Sequence, residues 1–500
     1  MTTTTNPVPP YHAQTRLFFE KTAQEKALST GFVKNDSPLN GSLFLLTLVL
    51  NVFAQGTLAL PDLAVLAHRL KPRVKVTGQA FKARYTKRAV TWLQTMLVAA
   101  LRLTLPATGT DIVPLLQGFS AVRLLDASTI ALPATLQKDF PGCGGVGAQA
   151  ALKLYLVLDW LTGQYDTVRV EPGRKADQNM GEVFLTGSLP GTLWLFDLGF
   201  FKVAFLAAIA AARSFFLCRL QAQVQLWCAN TAGGWEKLEL DELLRRAPRE
   251  TFEIAVRVGP NQAVDARLIA VPVPPEQVNE RRRKARAKAK KQGRTPTQKS
   301  LARLSWTLLL TNAPAEKLPT TTVLAVYGVR WQVELAFKLA KSELLLDQTL
   351  ATEPKRVQCE FYAKLIALLL FNRLAGVAAE LLGETISPVQ LFRRLRGDVE
   401  RWVRALGHGR AEATRDWLRF LGAYIKPSLR QAQSTRPRLR ALTETLAQQC
   451  LLSDPLGWLR EKYPNAAAGH AAFRQRLLLE NVCWQANNAV FQRAVATALS

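Results

Sequence analysis

The sequence predicts an α/β protein: a mixed-sheet core broken by a strand-rich insertion and flanked by helical amino- and carboxy-terminal domains. Three observations predict it. Apolar residues recur at helical spacing up to about residue 115 and again beyond 360; from about 120 the period changes to that of strands; and 221–304 interposes further strand-like runs and a cationic stretch. Five hundred residues exceed what one hydrophobic core usually organises. The expected division is therefore a helical domain over 1–115, a core in two parts over 116–220 and 305–365, an insertion over 221–304, and a helical domain over 366–500.

Each element follows from its residues. LFLLTLVLNVF, LAVLAHRL and AVTWLQTMLVAALRL carry helical periodicity. The apolar run from Ser42 to Ala54 falls well short of the ~20 residues that cross a bilayer, so it reads as a buried helix. Between the second and third runs, Thr77 is placed to cap a helix presenting Gln79, Lys82, Arg84 and Lys87, a pattern suited to a small DNA-binding module. The strand-like segments AVRLLDAST, ALKLYLVLD, YDTVRVEPG, TLWLFDLGF and SFFLCRL follow, with KADQNMGEVFL and KVAFLAAIAAAR expected as helices before and after the fourth. Three strands in succession, then helix, strand, helix and strand, imply a mixed layer and not simple α/β alternation. SWTLLLTN at 305–312 returns to the core, and one helix is expected from about Thr320 to Leu346.

Charge narrows the partner. Sixty-five Lys and Arg against 38 Asp and Glu give a net +27, with a pI near 10.2. Such a field attracts phosphates irrespective of sequence. The first residues, MTTTTNPVPPYHAQ, lack the basic start and apolar stretch of a signal peptide, so a cytoplasmic protein without a membrane partner is expected. Six cysteines without a CxxC pair and four distant histidines give neither a zinc site nor a disulfide framework. PGCGGVG is not followed by Gly-Lys-Ser or Gly-Lys-Thr, so it reads as a connector and not a phosphate loop.

Candidate chemistry rests on carboxylates. Asp126 in VRLLDAS, Asp159 in LYLVLDW and Asp197 in LWLFDLG each follow apolar strand residues, and oxygen ligands gathered at neighbouring strands suit hard divalent ions. A turn residue leaving a strand has the same local pattern, so the pattern alone does not choose among the three. In YGVRWQVELAFKLAK, Tyr327, Arg330, Glu334, Lys338 and Lys341 stand at offsets 0, 3, 7, 11 and 14. On one continuous helix they would form a stripe about 80° wide. A solvent-facing stripe would look alike, but an acid among three cations and a phenol also suits a metal ligand beside phosphates. The stretch ERRRKARAKAKKQGR holds eight cations between residues 281 and 291 (Arg281, Arg282, Arg283, Lys284, Arg286, Lys288, Lys290 and Lys291), which are expected to face solvent or touch phosphate non-specifically.

These residues resemble the insertion-sequence-four family of cut-and-paste bacterial transposases. Its signature, Tyr, two residues, Arg, three residues, Glu, six residues, Lys, is matched without a gap by Tyr327, Arg330, Glu334 and Lys341. The resemblance implies an RNase H-like core whose catalytic, metal-binding triad is Asp126, Asp197 and Glu334, and it relegates Asp159 to the second strand. It also implies room for an insertion between the last two ligands, and 334 − 197 = 137 leaves it. Two Mg²⁺ ions, replaceable by Mn²⁺, would be the cofactors; the partners would be double-stranded DNA, as transposon ends and target, and a second copy in a dimeric synaptic complex. Tyr327, Arg330, Lys338 and Lys341 would hold phosphates, and Trp306 would stack on a base flipped out while a terminal hairpin forms. A nuclease of the same fold without strand transfer, and a degenerate transposase that only binds, are the alternatives.

Overall fold

The computed structural model describes residues 8–34, 37–103, 116, 118–143, 148–291, 293–382, 387–407 and 411–419. The expected helices of 420–500, including the basic connector SLRQAQSTRPRLR, and Gly144–Gly147 of the glycine-rich connector lie outside them. The chain folds as two compact units. The first draws its described residues from 8–103, 126–176 and 332–419, and the second from 116–125 and 177–331.

In the first unit the amino-terminal region is helical because its apolar periodicity is punctuated by good caps. Asn40 accepts the Leu43 N–H at 2.9 Å to start helix Gly41–Gln55, and Gly56, at φ +76°, ends it in the left-handed conformation that glycine adopts without a side-chain clash. Thr77 caps Gly78–Arg84 as the sequence predicts, and Thr86 caps Lys87–Leu101. Phe32 stacks on Trp92 at 4.4 Å, with Phe44 and Phe81 also stacked at 5.5 Å, so the apolar Ser42–Ala54 run is core. The long helix Pro354–Leu382 is apolar and long enough to cross a membrane, yet it buries Leu365–Phe371 as well as the charged Glu360, Lys364 and Arg373 inside this unit. Strands β2 (Ala150–Asp159) and β3 (Gln164–Pro172) pair antiparallel, and β2 neighbours β1 (Val122–Leu132). Strand β1 passes through the boundary between the units, which falls after Leu125.

The second unit continues from the start of β1 through β4 (Leu193–Phe196), β5 (Phe215–Arg219) and β10 (Trp306–Thr311), then β9 (Val264–Pro272), β8 (Phe252–Val258), β6 (Leu226–Ala229) and β7 (Trp235–Lys237). The pairs β1/β4 and β4/β5 are parallel, and every pairing from β5/β10 outward is antiparallel. The strands of the expected insertion thus extend the core sheet from β10. Strand order β3-β2-β1-β4-β5, flanked by helical regions, makes the core RNase H-like with a β-rich insertion.

Two helices expected from the sequence form differently. KADQNMGEVFL makes short 3₁₀ turns at Asp177–Asn179 and Gly181–Leu185. Gly181 packs so close to Phe205 that a Cβ there would lie 2.6 Å from the ring, a tertiary contact that local periodicity cannot report. The expected Thr320–Leu346 helix is two, Val323–Val329 and Gln332–Ser342. Between them the Arg330 and Trp331 N–H groups donate to the carbonyls of Tyr327 and Gly328, three residues back, which tightens the chain out of α geometry.

Candidate active site

Asp126 lies within β1, not at its end, because the strand runs on to Leu132. Its Oδ1 accepts the Ala127 N–H at 2.8 Å. In the second unit β1 and β4 run parallel in register, with Leu124 opposite Leu195 and Leu125 opposite Phe196. The residue after each of these is an aspartate: Asp126, still within β1, and Asp197, just past the end of β4. Asp197 caps the turn Leu198–Phe200 by accepting the Gly199 N–H at 2.8 Å. A Cβ on Gly199 would stand 3.0 Å from that Asp197 oxygen and 3.3 Å from Asp177 Oδ2, so glycine keeps the turn open for two carboxylates. Asp159 takes the structural role its local pattern allowed: at the end of β2 its Oδ1 accepts the Leu161 N–H at 3.0 Å in the turn to β3.

The helix break divides the Tyr-Arg-Glu-Lys residues. Tyr327 and Arg330 belong to the second unit, with the guanidinium 5.9 Å from the phenol ring centre. Burial pushes the Tyr327 phenol up to about 12; Arg330 and Arg219 oppose the rise, while Cys218 and Asp197 add to it. Asp197 and Tyr327 therefore share one electrostatic neighbourhood. Glu334, Lys338 and Lys341 belong to the first unit, on Gln332–Ser342, where Lys341 Nζ donates to the Thr129 carbonyl of β1 at 3.1 Å. The narrow stripe expected from a single helix does not carry across the break.

Asp126, Asp197 and Glu334 are all half-buried and are drawn from both units. Among the described residues, no three His, Cys, Asp or Glu side chains stand together as a metal-binding group. Carboxylates are the ligands that hard divalent ions prefer, and Asp126 and Asp197 are each oriented by a backbone N–H.

Trp306 is only 4% exposed, at the start of β10, with its ring edge-on to Phe252 at 5.5 Å and the Arg249 guanidinium 5.9 Å from its centre. The cationic stretch is the outer two-thirds of a helix, Pro275–Lys291. At 100° per residue, Val278, Arg281, Arg282, Ala285 and Ala289 share one face, and apart from Glu280 these are its buried or half-buried positions. Arg281 donates to the Trp306 carbonyl at 3.4 Å and to Thr307 Oγ1 at 3.3 Å, and Arg282 donates to Ser305 Oγ at 3.2 Å. Arg283 and Lys284 pair with Glu280. Arg286, Lys288, Lys290 and Lys291 lie on the exposed face.

Sequence reading passed over two charged residues in this region. Asp177 was hidden by the helix expected at KADQNMGEVFL, although it shares Gly199 with Asp197. Arg219 ends β5, and its charge acts on Tyr327 and, after burial, on Arg281. A lone cation at the end of SFFLCRL gives no sequence signal.

The fold class is thus an RNase H-like α/β core with one aspartate, Asp126, within β1 and another, Asp197, just past the end of β4. The transposase DDE domain model matches residues 117–370, and the chain belongs to that family. It is 30% identical over 270 residues to the transposase for insertion sequence element IS231F of Bacillus thuringiensis subsp. israelensis, covering 51% of this chain and 57% of that protein. It is 28% identical over 361 residues to the transposase for IS231C of Bacillus thuringiensis subsp. berliner, covering 69% and 75%. Among solved structures it is similar to the piggyBac transposase in a synaptic complex with hairpin DNA, with a TM-score of 0.42 and 10% identity over 88% of this chain and 89% of that one.

Proposed function

We propose that this chain is a cut-and-paste DNA transposase that binds the inverted repeats at the ends of its element, cleaves them by metal-dependent hydrolysis through a hairpin, and joins the freed 3′ ends to target DNA. The observation that carries the reading is the parallel register of β1 and β4, which brings each strand to an aspartate one residue past the Leu125/Phe196 pair. Asp126, Asp197 and Glu334 are the ligands for two Mg²⁺ ions, with Mn²⁺ able to substitute. Divalent metal bound there supplies an activated water or 3′ hydroxyl and neutralises charge at the leaving oxygen.

The remaining roles fall to the chain's own cations and rings. Arg330 and Tyr327 hold phosphate beside Asp197, and Lys338 and Lys341 hold it beside Glu334, the arginine as a bidentate fork and the lysines as point charges. Of the basic helix, Arg286, Lys288, Lys290 and Lys291 face the DNA backbone together with the exposed Arg283 and Lys284, which pair with Glu280 on the same helix, while Arg281 and Arg282 chiefly fix the helix in place. The amino-terminal helices, with Lys82 and Lys87 exposed, recognise the ends. Trp306 stacks on an extruded base once Arg249 and Phe252 leave its ring. Cutting two ends together calls for a dimer on DNA, acting in the cytoplasm.

The test is a cleavage and joining assay on end-labelled DNA carrying the repeats that flank the gene, with Mg²⁺. Asp126→Ala, Asp197→Ala and Glu334→Ala are each expected to abolish cleavage and leave end binding largely intact, while Asp159→Ala cuts normally if it folds. Normal cutting by Asp197→Ala overturns the ligand assignment; hydrolysis without joined products makes the protein a nuclease.

A further inference from the structure

Residue 345 is a leucine at φ +50°, a left-handed conformation that branched side chains rarely hold. Such strain persists only where the surroundings over-determine it. Leu345 lies just past the helix Gln332–Ser342 that carries Glu334, where the chain turns toward the long helix Pro354–Leu382. Its surroundings are unusual for a surface turn.

Lys364, 2% exposed, points its ammonium into this turn and donates to the carbonyls of Leu345 and Gln348, each at 2.6 Å. One helical turn earlier, Glu360, also 2% exposed, accepts from Thr349 Oγ1 at 2.8 Å and from Arg356 Nε at 2.8 Å. Arg356 reaches on to the Leu58 carbonyl at 3.1 Å, in the turn that follows helix Gly41–Gln55. The Leu345 side chain itself fills the space above Gly56, where a Cβ would stand 2.8 Å from it. From the other side Glu343, buried, is paired with Arg393 at 3.0 Å, and its carbonyl accepts from Arg396. All these residues belong to the first unit.

Burying a lysine and a glutamate is costly, and replacing such pairs with apolar residues is often neutral or stabilising. Stability alone therefore does not explain why this turn is gripped by charge. What the charges do is geometric: two carbonyls and one hydroxyl of a single strained turn are fixed to the long helix, and through Arg356 to the amino-terminal helices. Glu334 sits near the other end of helix Gln332–Ser342, which leads into this turn, and Lys341 ties that helix to β1 three residues after Asp126.

We propose that Lys364 and Glu360 are positioning residues: they clamp the Leu345–Thr349 turn and so fix the helix carrying Glu334 against β1 and the amino-terminal helices. This rests on Glu334 being a metal ligand. Residues that orient a ligand in this way typically change metal affinity or activity by about 10–100-fold when removed. The consequence is a transposase that still folds and binds DNA ends but needs more metal to cut.

The test uses the full chain with Glu360→Gln and Lys364→Met combined, which removes both buried charges together and so avoids leaving either unpaired. Two readouts are taken: the Mg²⁺ concentration for half-maximal nicking of the gene's own terminal repeats, and amide hydrogen exchange across 332–350. The expected result is half-maximal Mg²⁺ raised about tenfold, faster exchange in that segment, and end binding within about twofold. An unchanged Mg²⁺ requirement in the folded variant overturns the inference, whatever the loss of active fraction. If the double variant does not fold, Thr349→Val, which removes the turn's hydroxyl contact with Glu360 and leaves both charges in place, is read the same way, and an unchanged Mg²⁺ midpoint again counts against it. Glu334→Ala is the separate control: full cutting by that variant removes the metal-ligand reading itself, whereas an inactive Glu334→Ala beside a wild-type-like double variant removes only the clamp.

Discussion

Two helices of this protein carry clustered cations and put them to opposite uses. In Pro275–Lys291 the charges ring the outward face, and those on the inward face are spent on carbonyls and hydroxyls of the chain just before and within β10. In Pro354–Leu382, Lys364 is buried to the tip and Arg356 nearly so, and both donate to carbonyls inside the protein. The comparison teaches that a cation's role follows from its surroundings and not from local density. A dense run on the surface can contribute to a diffuse field, whereas one lysine in the core can fix a backbone turn.

The sharpest way to break the comparison is to remove one buried charge. Lys364→Met alone leaves Glu360 with less compensation in the core and is expected to cost about 3–5 kcal/mol of stability. The combined Glu360→Gln, Lys364→Met variant is expected to cost less than that single change, because no buried charge is left opposite an apolar side chain. Chemical denaturation of the wild type, both single variants and the double variant measures this, and a double loss equal to the sum of the two single losses would mean the two groups are not coupled.

Neutralising Arg286, Lys288, Lys290 and Lys291 on the outer helix is expected to leave stability within about 0.5 kcal/mol, as for ordinary surface changes. Its effect belongs to DNA: the slope of log affinity against log salt flattens by about 0.9 for each phosphate that the helix no longer neutralises. The matched comparison is Arg281→Gln with Arg282→Gln, which should lower stability and change the slope less. A larger slope change from that inner pair would reverse the assignment of faces.

Trp306 tests whether a core residue also serves DNA. If its ring is uncovered during hairpin formation, Trp306→Ala removes stacking worth roughly 1–3 kcal/mol at that step, on top of any loss of folding stability. First-strand nicking then runs near its normal rate and nicked DNA accumulates. Slowing of nicking and hairpin formation by the same factor would leave the ring in its packing role alone. Arg249→Ala, which takes the cation off the ring, should not slow the hairpin step if stacking requires that ring to be exposed.

The last expected effect is that of pH. Burial holds the Lys364 ammonium down to about 8 against its ordinary 10.5, with Glu360 and Asp347 acting in the opposite sense. Because the folded value lies below the unfolded one, the stability linked to this group is fully present above about 10.5 and is lost as pH falls through about 8. Wild-type stability should therefore rise relative to Lys364→Met between pH 8 and 10.5 in parallel denaturation curves. A constant difference across that range would place the ammonium in better-solvated surroundings.

The sequence by itself determined the local matter. Helical and strand periods, the Thr77 cap, the buried Ser42–Ala54 helix and the placement of Asp126 and Asp197 after apolar β residues are all written in neighbouring residues, since capping and burial periodicity act within a few positions. The matched spacing of Tyr327, Arg330, Glu334 and Lys341 was legible for the same reason. Tertiary structure decided what depends on distant partners. It split the signature helix at Arg330–Trp331, turned KADQNMGEVFL into 3₁₀ turns beneath Phe205, and carried β1 on past Asp126. It also sorted eight closely spaced cations into an inner and an outer face, put the Trp306 ring under Arg249, and buried Lys364 against carbonyls 16 and 19 residues away. Periodicity records which side of a residue is apolar, but not which backbone will arrive there, and each of these outcomes was set by a backbone or ring arriving from elsewhere in the chain.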